Sequence, residues 1–223
     1  MNGKLKTALA GVAVVAMLAF ASAPALAGEP VLDPAEGDVT FTGTLEGAAV
    51  VTAWLGTIQC QKVDASGTIN TGGKAGSMTL DMTGCHIINL GLTTPCQSIS
   101  APLLNTIKLA GTFETTYLTE GKTKPGLKFT IPGTTIGCGF KSPPQGPLTM
   151  SGSVLGTLST PACGAESNKG TVSFTGNPQD RQITGTGPLI TWTSTSNSGN
   201  EAMGDLLADL PIEFSKSTKV TCV

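Results

Sequence analysis

Apolar residues at every second position, in run after run, constrain this chain more than any other feature of its sequence. Val39 and Phe41 alternate with Thr40, Thr42 and Thr44, and Met78, Leu80 and Met82 alternate with Ser77, Thr79, Asp81 and Thr83. The longest run sets Ile107, Leu109, Phe113 and Tyr117 against Lys108, Thr112, Glu114 and Thr116. Leu127, Phe129 and Ile131, then Leu148, Met150 and Val154, then Val172 and Phe174 continue the pattern. At the end, Ile212, Phe214, Val220 and Cys222 share one parity, while Glu213, Ser215, Ser217, Lys219 and Thr221 take the other. Period two turns one face of a strand to a core and the other to water. About a dozen such strands, separated by Gly, Pro, Asn and Ser turns, predict an all-β, antiparallel β-sandwich or barrel.

One segment departs from that period. Met203, Leu206, Leu207 and Leu210 are spaced i, i+3, i+4, i+7, Ser198 and Glu201 have capping-box spacing, and Pro211 follows. A short helix is therefore expected near residues 200–210, packed on one end or edge of the sheets.

The segment from Met1 to Ala27 has the layout of a secretory signal peptide. Lys4 and Lys6 precede an apolar run from Ala8 to Phe20, and Ala25-Leu26-Ala27 forms an A-x-A cleavage site. Ser22 and Pro24 interrupt the run, which is short for a membrane span. Residues 28–223 are then expected as a single secreted β-domain, with 28–37 as a loose lead-in and no transmembrane segment. The Pro-rich stretch Lys141-Ser-Pro-Pro-Gln-Gly-Pro147 is the one linker candidate, but the chain that follows it is thin for an independent sandwich.

With Lys4 and Lys6 removed along with the leader, the chain carries 11 basic and 15 acidic side chains, a formal charge of −4. A weakly acidic chain without a basic cluster is a poor partner for nucleic acid. Charged residues make up only 13% of the sequence, against about a quarter in most soluble proteins, so Thr, Ser and Gly fill the predicted surface.

All six cysteines, Cys60, Cys85, Cys96, Cys138, Cys163 and Cys222, follow the leader. An even count in an exported chain predicts three disulfides out of 15 possible connectivities. Cys85–Cys96 is the expected local bridge. Cys60–Cys138 is suggested by similar T-I-x-C contexts, which leaves Cys163–Cys222. With no C-x2-C pair and His86 as the only histidine, a zinc cluster is not expected.

The segments Thr57-Ile-Gln-Cys60, Met82-Thr-Gly-Cys85, Thr94-Pro-Cys96 and Thr135-Thr-Ile-Gly-Cys138, followed by Cys163, occur in that order. Over roughly residues 40–185 this arrangement resembles a broad group of small secreted actinobacterial proteins with cysteine-bearing β-strands and no assigned activity. The resemblance implies architecture and no chemistry.

Catalytic constellations are sparse. Gly152-Ser-Val-Leu-Gly156 places its serine one position early for a G-x-S-x-G elbow, and any Ser-His-Asp triad must use His86. Asp64, Asp81, Glu114 and Glu120 are available as paired carboxylates for glycoside hydrolysis. Trp54, Trp192 and Tyr117 are the aromatic side chains beyond phenylalanine, and both tryptophans sit in core-like contexts. Asp33, Glu36 and Asp38 could supply calcium ligands, although a solvated acidic turn is the simpler reading.

The expected function is therefore a secreted, non-enzymatic structural or interaction protein of the cell envelope or extracellular space, without cofactor. Its partner would be an envelope or extracellular protein or a second copy, with the Val39–Leu45 strand as a candidate edge for strand addition. The alternative is a small-ligand-binding protein, or a serine-type or glycoside hydrolase, with a pocket between sheets.

Overall fold

The computed structural model describes residues 30–34, 37–53, 56–89, 92–99, 104–118, 124–139, 148–159, 164–174, 190–194 and 201–221. Twelve strands run through them: β1 (Val31–Pro34), β2 (Val39–Ala53), β3 (Gly56–Ile69), β4 (Ala75–Thr83), β5 (His86–Asn89) and β6 (Leu92–Ser98), then β7 (Ile107–Tyr117), β8 (Pro125–Cys138), β9 (Leu148–Ser159), β10 (Glu166–Phe174), β11 (Ile190–Ser194) and β12 (Glu201–Thr221). Every pairing is antiparallel, and the described residues contain no helix.

The sheet closes on itself, so the architecture is a barrel and not a sandwich. One ring of eight strands runs β2-β3-β4-β7-β8-β9-β10-β12 and returns to β2. A second ring is stacked on it. There β5 and β6 replace β4 and β7, and β11 replaces β10, between the continuing strands β2, β3, β8, β9 and β12. The ladders that continue from one ring into the other shift register at the waist: β2–β3 between Glu46 and Ala49, β8–β9 between Ile131 and Thr134, β12–β2 between Leu207 and Ile212. Bulges bend strands and increase twist, which is how one continuous wall changes neighbours partway along its length.

The inward residues are those the alternation picks out, including Val39, Phe41, Met78, Leu80, Met82, Ile107, Leu109, Phe113, Phe129 and Phe174. An eight-strand barrel is just wide enough to be filled by side chains, so large residues need small ones opposite. Glycine supplies that room. Phe41 lies opposite Gly67, and Phe113 opposite Gly76, in adjacent strands. A Cβ on Gly67 would run into the Phe41 ring, and one on Gly76 would sit 2.6 Å from Phe113 Cε1. Phe129 covers Gly111, and Phe174 covers Gly156, in the same way. Phe41 and Phe113 meet edge to face, with centroids 6.1 Å apart. The void left among these rings is about 10 Å³ and has only apolar walls, so it is a dry packing defect and not a ligand chamber.

The helix expected at 200–210 is strand. Leu206, Leu210, Ile212, Phe214, Thr218 and Val220 are all buried and all even-numbered, so period two already runs through this segment. Four apolar positions also fit a helical template, and the barrel's need for a closing strand overrides that local pattern. Pro211 does not end an element. It faces outward inside β12, at the register break against β2, where the missing N–H breaks no ladder to that strand. Its carbonyl occupies the space that a side chain at position 43 would need, so Gly43 is what lets β12 approach there.

Two further expectations change. Val31–Pro34 of the supposed lead-in pairs with β12 as β1. The Val39–Leu45 segment offers no free edge, because β2 is paired to β3 on one side and β12 on the other. The proline-rich 141–147 stretch, the leader and Trp54 lie outside the described residues. The strands flanking 141–147, β8 and β9, pair with each other within one barrel.

Gly76→Ala is expected to lower stability by about 1–3 kcal/mol, because the added Cβ would run into the Thr68 carbonyl oxygen on β3 and overpack the Phe113 ring. Gly133→Ala, where the nearest atom is Thr149 Cγ2 at 4.0 Å, should change it by less than about 0.5 kcal/mol. Urea denaturation of both variants with disulfides intact checks this pair.

Candidate functional site

Charge is segregated along the barrel. Among the described residues, the second-ring segments carry no Lys, Arg, Asp or Glu apart from Glu201 and Asp205 on β12. Residues 82–107, which build β5, β6 and their connections, contain none at all. The charged side chains gather on the first ring, where outward positions form lateral rows.

One such row brings together two carboxylates named from the sequence. Thr44, Asp64, Asp81 and Lys108 are successive partners across β2, β3, β4 and β7. Directly opposed like charges are unfavourable in a sheet, and each acid here has a lysine. Lys62 Nζ lies 3.1 Å from Asp64 Oδ2, and Lys108 Nζ lies 3.6 Å from Asp81 Oδ1. The Thr44 hydroxyl donates to Asp64 Oδ1 at 2.8 Å. That hydrogen bond, followed by Lys62, holds the Asp64 carboxyl below its ordinary value, while Asp64 raises Lys62. A general acid needs the opposite shift, so Asp64 is poorly placed for that role. Glu114 stands exposed on β7, and Glu120 lies outside the described residues.

The acidic loop read as a calcium candidate is divided. Asp33 lies in β1, opposite Lys219, and Glu36 is outside the described residues. Asp38 uses Oδ1 to accept from Thr71 N at 2.7 Å and from its hydroxyl at 2.9 Å. It ties the β3–β4 turn to the start of β2. No three metal-ligating side chains gather among the described residues.

The disulfides pair differently from expectation. Cys60 joins Cys85, and Cys96 joins Cys138. Cys85–Cys96 fails because Cys96 faces Cys138 in the β6–β8 ladder, while Cys85 sits at the corner between β4 and β5, beside β3. Cys60 and Cys138 belong to strands separated by the β5–β6 hairpin. The two bridges therefore fasten that hairpin to the long strands on either side. Cys163 and Cys222 lie outside the described residues.

His86 opens β5 at this fastened corner. Its Nδ1 lies 3.1 Å from the Gly84 carbonyl, an arrangement in which Nδ1–H donates. A groove of about 560 Å³ runs past it, lined by Gln61, Gly84, Cys85, His86, Thr93, Pro95 and Asn105. A smaller one, about 210 Å³, shares Gln61 and His86 and adds Gly47, Ala48, Gln59 and Cys60. Among the described residues, carboxamides, an imidazole and a hydroxyl line these grooves and no carboxylate does, so none of them brings His86 the acid that a Ser-His-Asp triad requires. Ser153, of the G-x-x-x-G stretch, instead shares a hydrogen bond with Thr130 at 2.9 Å on the barrel wall.

The exposed large hydrophobic side chains of the described residues are Ile88 (49%), Leu92 (72%), Ile99 (45%) and Leu104 (71%). All four belong to the charge-free 82–107 stretch. Sequence reading passed over them because Ile88 looks like an ordinary strand residue until Ile87 is known to take the inward position, and Leu92, which has the parity of Cys96, is exposed as the first residue of β6.

A second groove, about 500 Å³, lies where β12 bulges at Pro211, between Thr42, Thr44, Lys169 and Glu213. It is hydroxyl-lined and carries one charge of each sign.

The chain matches no protein-family model, no curated protein and no solved structure.

Two tests follow from this geometry. Replacing Cys96 and Cys138 together by serine should cost about 2–4 kcal/mol of stability, measured by denaturation under non-reducing conditions, because that bridge closes a separation of 42 residues. Asp64→Asn should be less stable than the parent at neutral pH. A carboxyl whose folded value is depressed stabilises above its unfolded value, here 3.8, and loses that contribution as pH falls below it. The difference between the two proteins, followed by denaturation across pH, should therefore close on acidification below 3.8.

Proposed function

We propose that this protein is an exported, non-enzymatic structural or interaction module of the cell envelope or extracellular space, working through the outside of its barrel. The observation that carries the reading is the filled interior. Phenylalanine and aliphatic side chains occupy the space where a carrier barrel would hold a ligand, so recognition falls to the outer surface. On that surface, the charge-free 82–107 stretch with its exposed Ile and Leu side chains is the part equipped to bury area against a partner.

Export is supported by the leader-like segment from Met1 to Ala27 and by the two disulfides, which persist in oxidising compartments. No helix among the described residues is long and apolar enough to cross a membrane. The outward positions of the first ring hold Lys108, Glu114 and Lys128, the reverse of the apolar exterior of a membrane-spanning barrel.

A third bridge, Cys163–Cys222, belongs to this reading. Glu166 pairs with Lys219 and Ser167 with Thr218, and the Gly164 N–H donates to the Val220 carbonyl at 2.8 Å. The two remaining cysteines thus adjoin segments that pair with each other, and they complete the even count of six. The bridge would hold the carboxy-terminal end of β12 to the start of β10.

Two measurements on protein recovered from an exporting host test the proposal. Mass spectrometry should find a chain beginning at Gly28 and three bridges, Cys60–Cys85, Cys96–Cys138 and Cys163–Cys222. A photo-crosslinking residue at Thr93 should capture envelope or extracellular material far more often than one at Lys128. An intact leader in a cytosolic product, or equal capture from both positions, would count against the reading.

A further inference from the structure

We infer that the seam between β6 and β8 is a redox latch. Reduction of Cys96–Cys138 by a dithiol opens the second ring along that seam, while Cys60–Cys85 keeps the hairpin hinged to β3. This latch is independent of what binds the outside of the barrel. Apart from its bridge, the seam is thin. β6 meets β8 through Cys96 with Cys138, Gln97 with Gly137 and Ser98 with Ile136. Just beyond them the Gly139 N–H donates to the Pro95 carbonyl at 2.9 Å, and Pro95 has no N–H to return. Gly137 and Gly139 bring no side chain to pack across the join. The bridge lies inside this stretch and closes what few hydrogen bonds support.

The two bridges differ in access. Cys60 and Cys85 are 1% exposed and Cys96 is 0% exposed, whereas Cys138, the last residue of β8, is only partly buried. A thiolate from outside therefore reaches Cys138 Sγ first. It forms a mixed disulfide there and releases Cys96 as a thiolate. The reductant's second thiol then attacks its own sulfur in that mixed disulfide, which frees Cys138 and closes the reductant as a disulfide. Two electrons and two protons pass to the protein, and one dithiol is oxidised.

The rest of the hairpin stays anchored. Cys60–Cys85 and the pairing of Ile58 with Ile87 and Gln59 with His86 tie β5 to β3. The Cys96 N–H donates to the Cys85 carbonyl, which keeps β6 with β5. At the far end of β6, Ser98 is buried. Its N–H donates to the Thr106 carbonyl, and its hydroxyl accepts from the Lys108 N–H, both at 2.9 Å. The seam therefore parts from Gly139 toward Ser98 and stops there. Parting uncovers Ile136, 1% exposed in the closed ring, and leaves the end of β8 with an unpaired edge.

Graded reduction of the folded mature chain with dithiothreitol, followed by alkylation and mass spectrometry, tests the order. Cys96 and Cys138 should be labelled together, at a reductant concentration at least about tenfold below the one that labels Cys60 and Cys85. At that stage, hydrogen exchange at Gln97, Gly137 and Gly139 should be at least about tenfold faster than in the oxidised protein, while β4 and β7 amides stay protected over the same period. Cys96→Ser with Cys138→Ser should show the same exchange pattern without reductant. Labelling of Cys60 and Cys85 first, or at the same concentration, overturns the inference. So do seam amides that stay protected after Cys96 and Cys138 are labelled, or protection lost in β4 and β7 together with the seam. Each of these results leaves the outside-binding reading to be decided by the crosslinking from Thr93.

Discussion

Everything else in this barrel depends on phenylalanine rings lying over glycines on neighbouring strands. A closed eight-strand wall leaves room for about one layer of side chains, and Phe41, Phe113, Phe129 and Phe174 claim most of it in the first ring. Without Gly67, Gly76, Gly111 and Gly156, those rings would push the strands apart and the ladder could not close. The aromatic residues are few, but their placement against glycine makes each of them count. Because the interior is filled almost entirely by apolar side chains, with Ser98, Thr115 and Thr218 the buried polar ones among the described residues, most hydroxyls and amides are left to the outer face. Pairs such as Thr135 with Thr149, 3.1 Å apart, lace its strands together.

The two-ring construction explains how a single wall can have two characters. At the waist, bulges let β4 and β7 give way to β5 and β6, so different sequence segments build the two halves. The first-ring segments carry the lysines and acids. The second-ring segments are short, rich in Thr, Gly and Ile, and almost free of charge. A strand as short as β5 contributes little hydrogen bonding of its own, and here covalent bridges hold the hairpin in the wall. Both bridges sit against the uncharged flank, where shape has to be kept without help from ion pairs.

Much of this was legible in the sequence, and the failures have physical causes. Alternation located nearly every long strand, because inward and outward positions differ so sharply in β7 and β4. Closure was not legible, since whether a dozen strands make two sheets or one ring depends on long-range pairings such as Phe41 with Phe214. The leucines near residue 206 fit two periods at once, and local pattern had no means of choosing between them. Cysteine pairing was misread for a related reason: Cys85 and Cys96 are neighbours across the hairpin, the Cys96 N–H donating to the Cys85 carbonyl at 2.9 Å, but each sulfur bridges to the long strand on its own flank, Cys85 to Cys60 and Cys96 to Cys138. The acids Asp64 and Asp81 were named as candidates without any sign that they would be cross-strand neighbours, each already engaged by a lysine. The exposed flank was hardest to see, because apolar residues on a strand's outer face look the same in sequence as those on its inner face.

Strand β12 has an implication for the order of events in folding. It follows all the other described strands in sequence, and β1, β2, β10 and β11 all pair with it. Until residues 201–221 have been synthesised, β2 lacks a neighbour on one side and the ring stays open as a curled sheet with bare edges. Closure therefore cannot proceed along with chain elongation; it waits for the final strand, and it joins the first strands of the chain to the last. Such remote pairing is slow. During that interval the nascent chain would be most exposed to mispairing, so a chaperone or a translocation channel would matter more to this protein than to one that folds from its amino terminus.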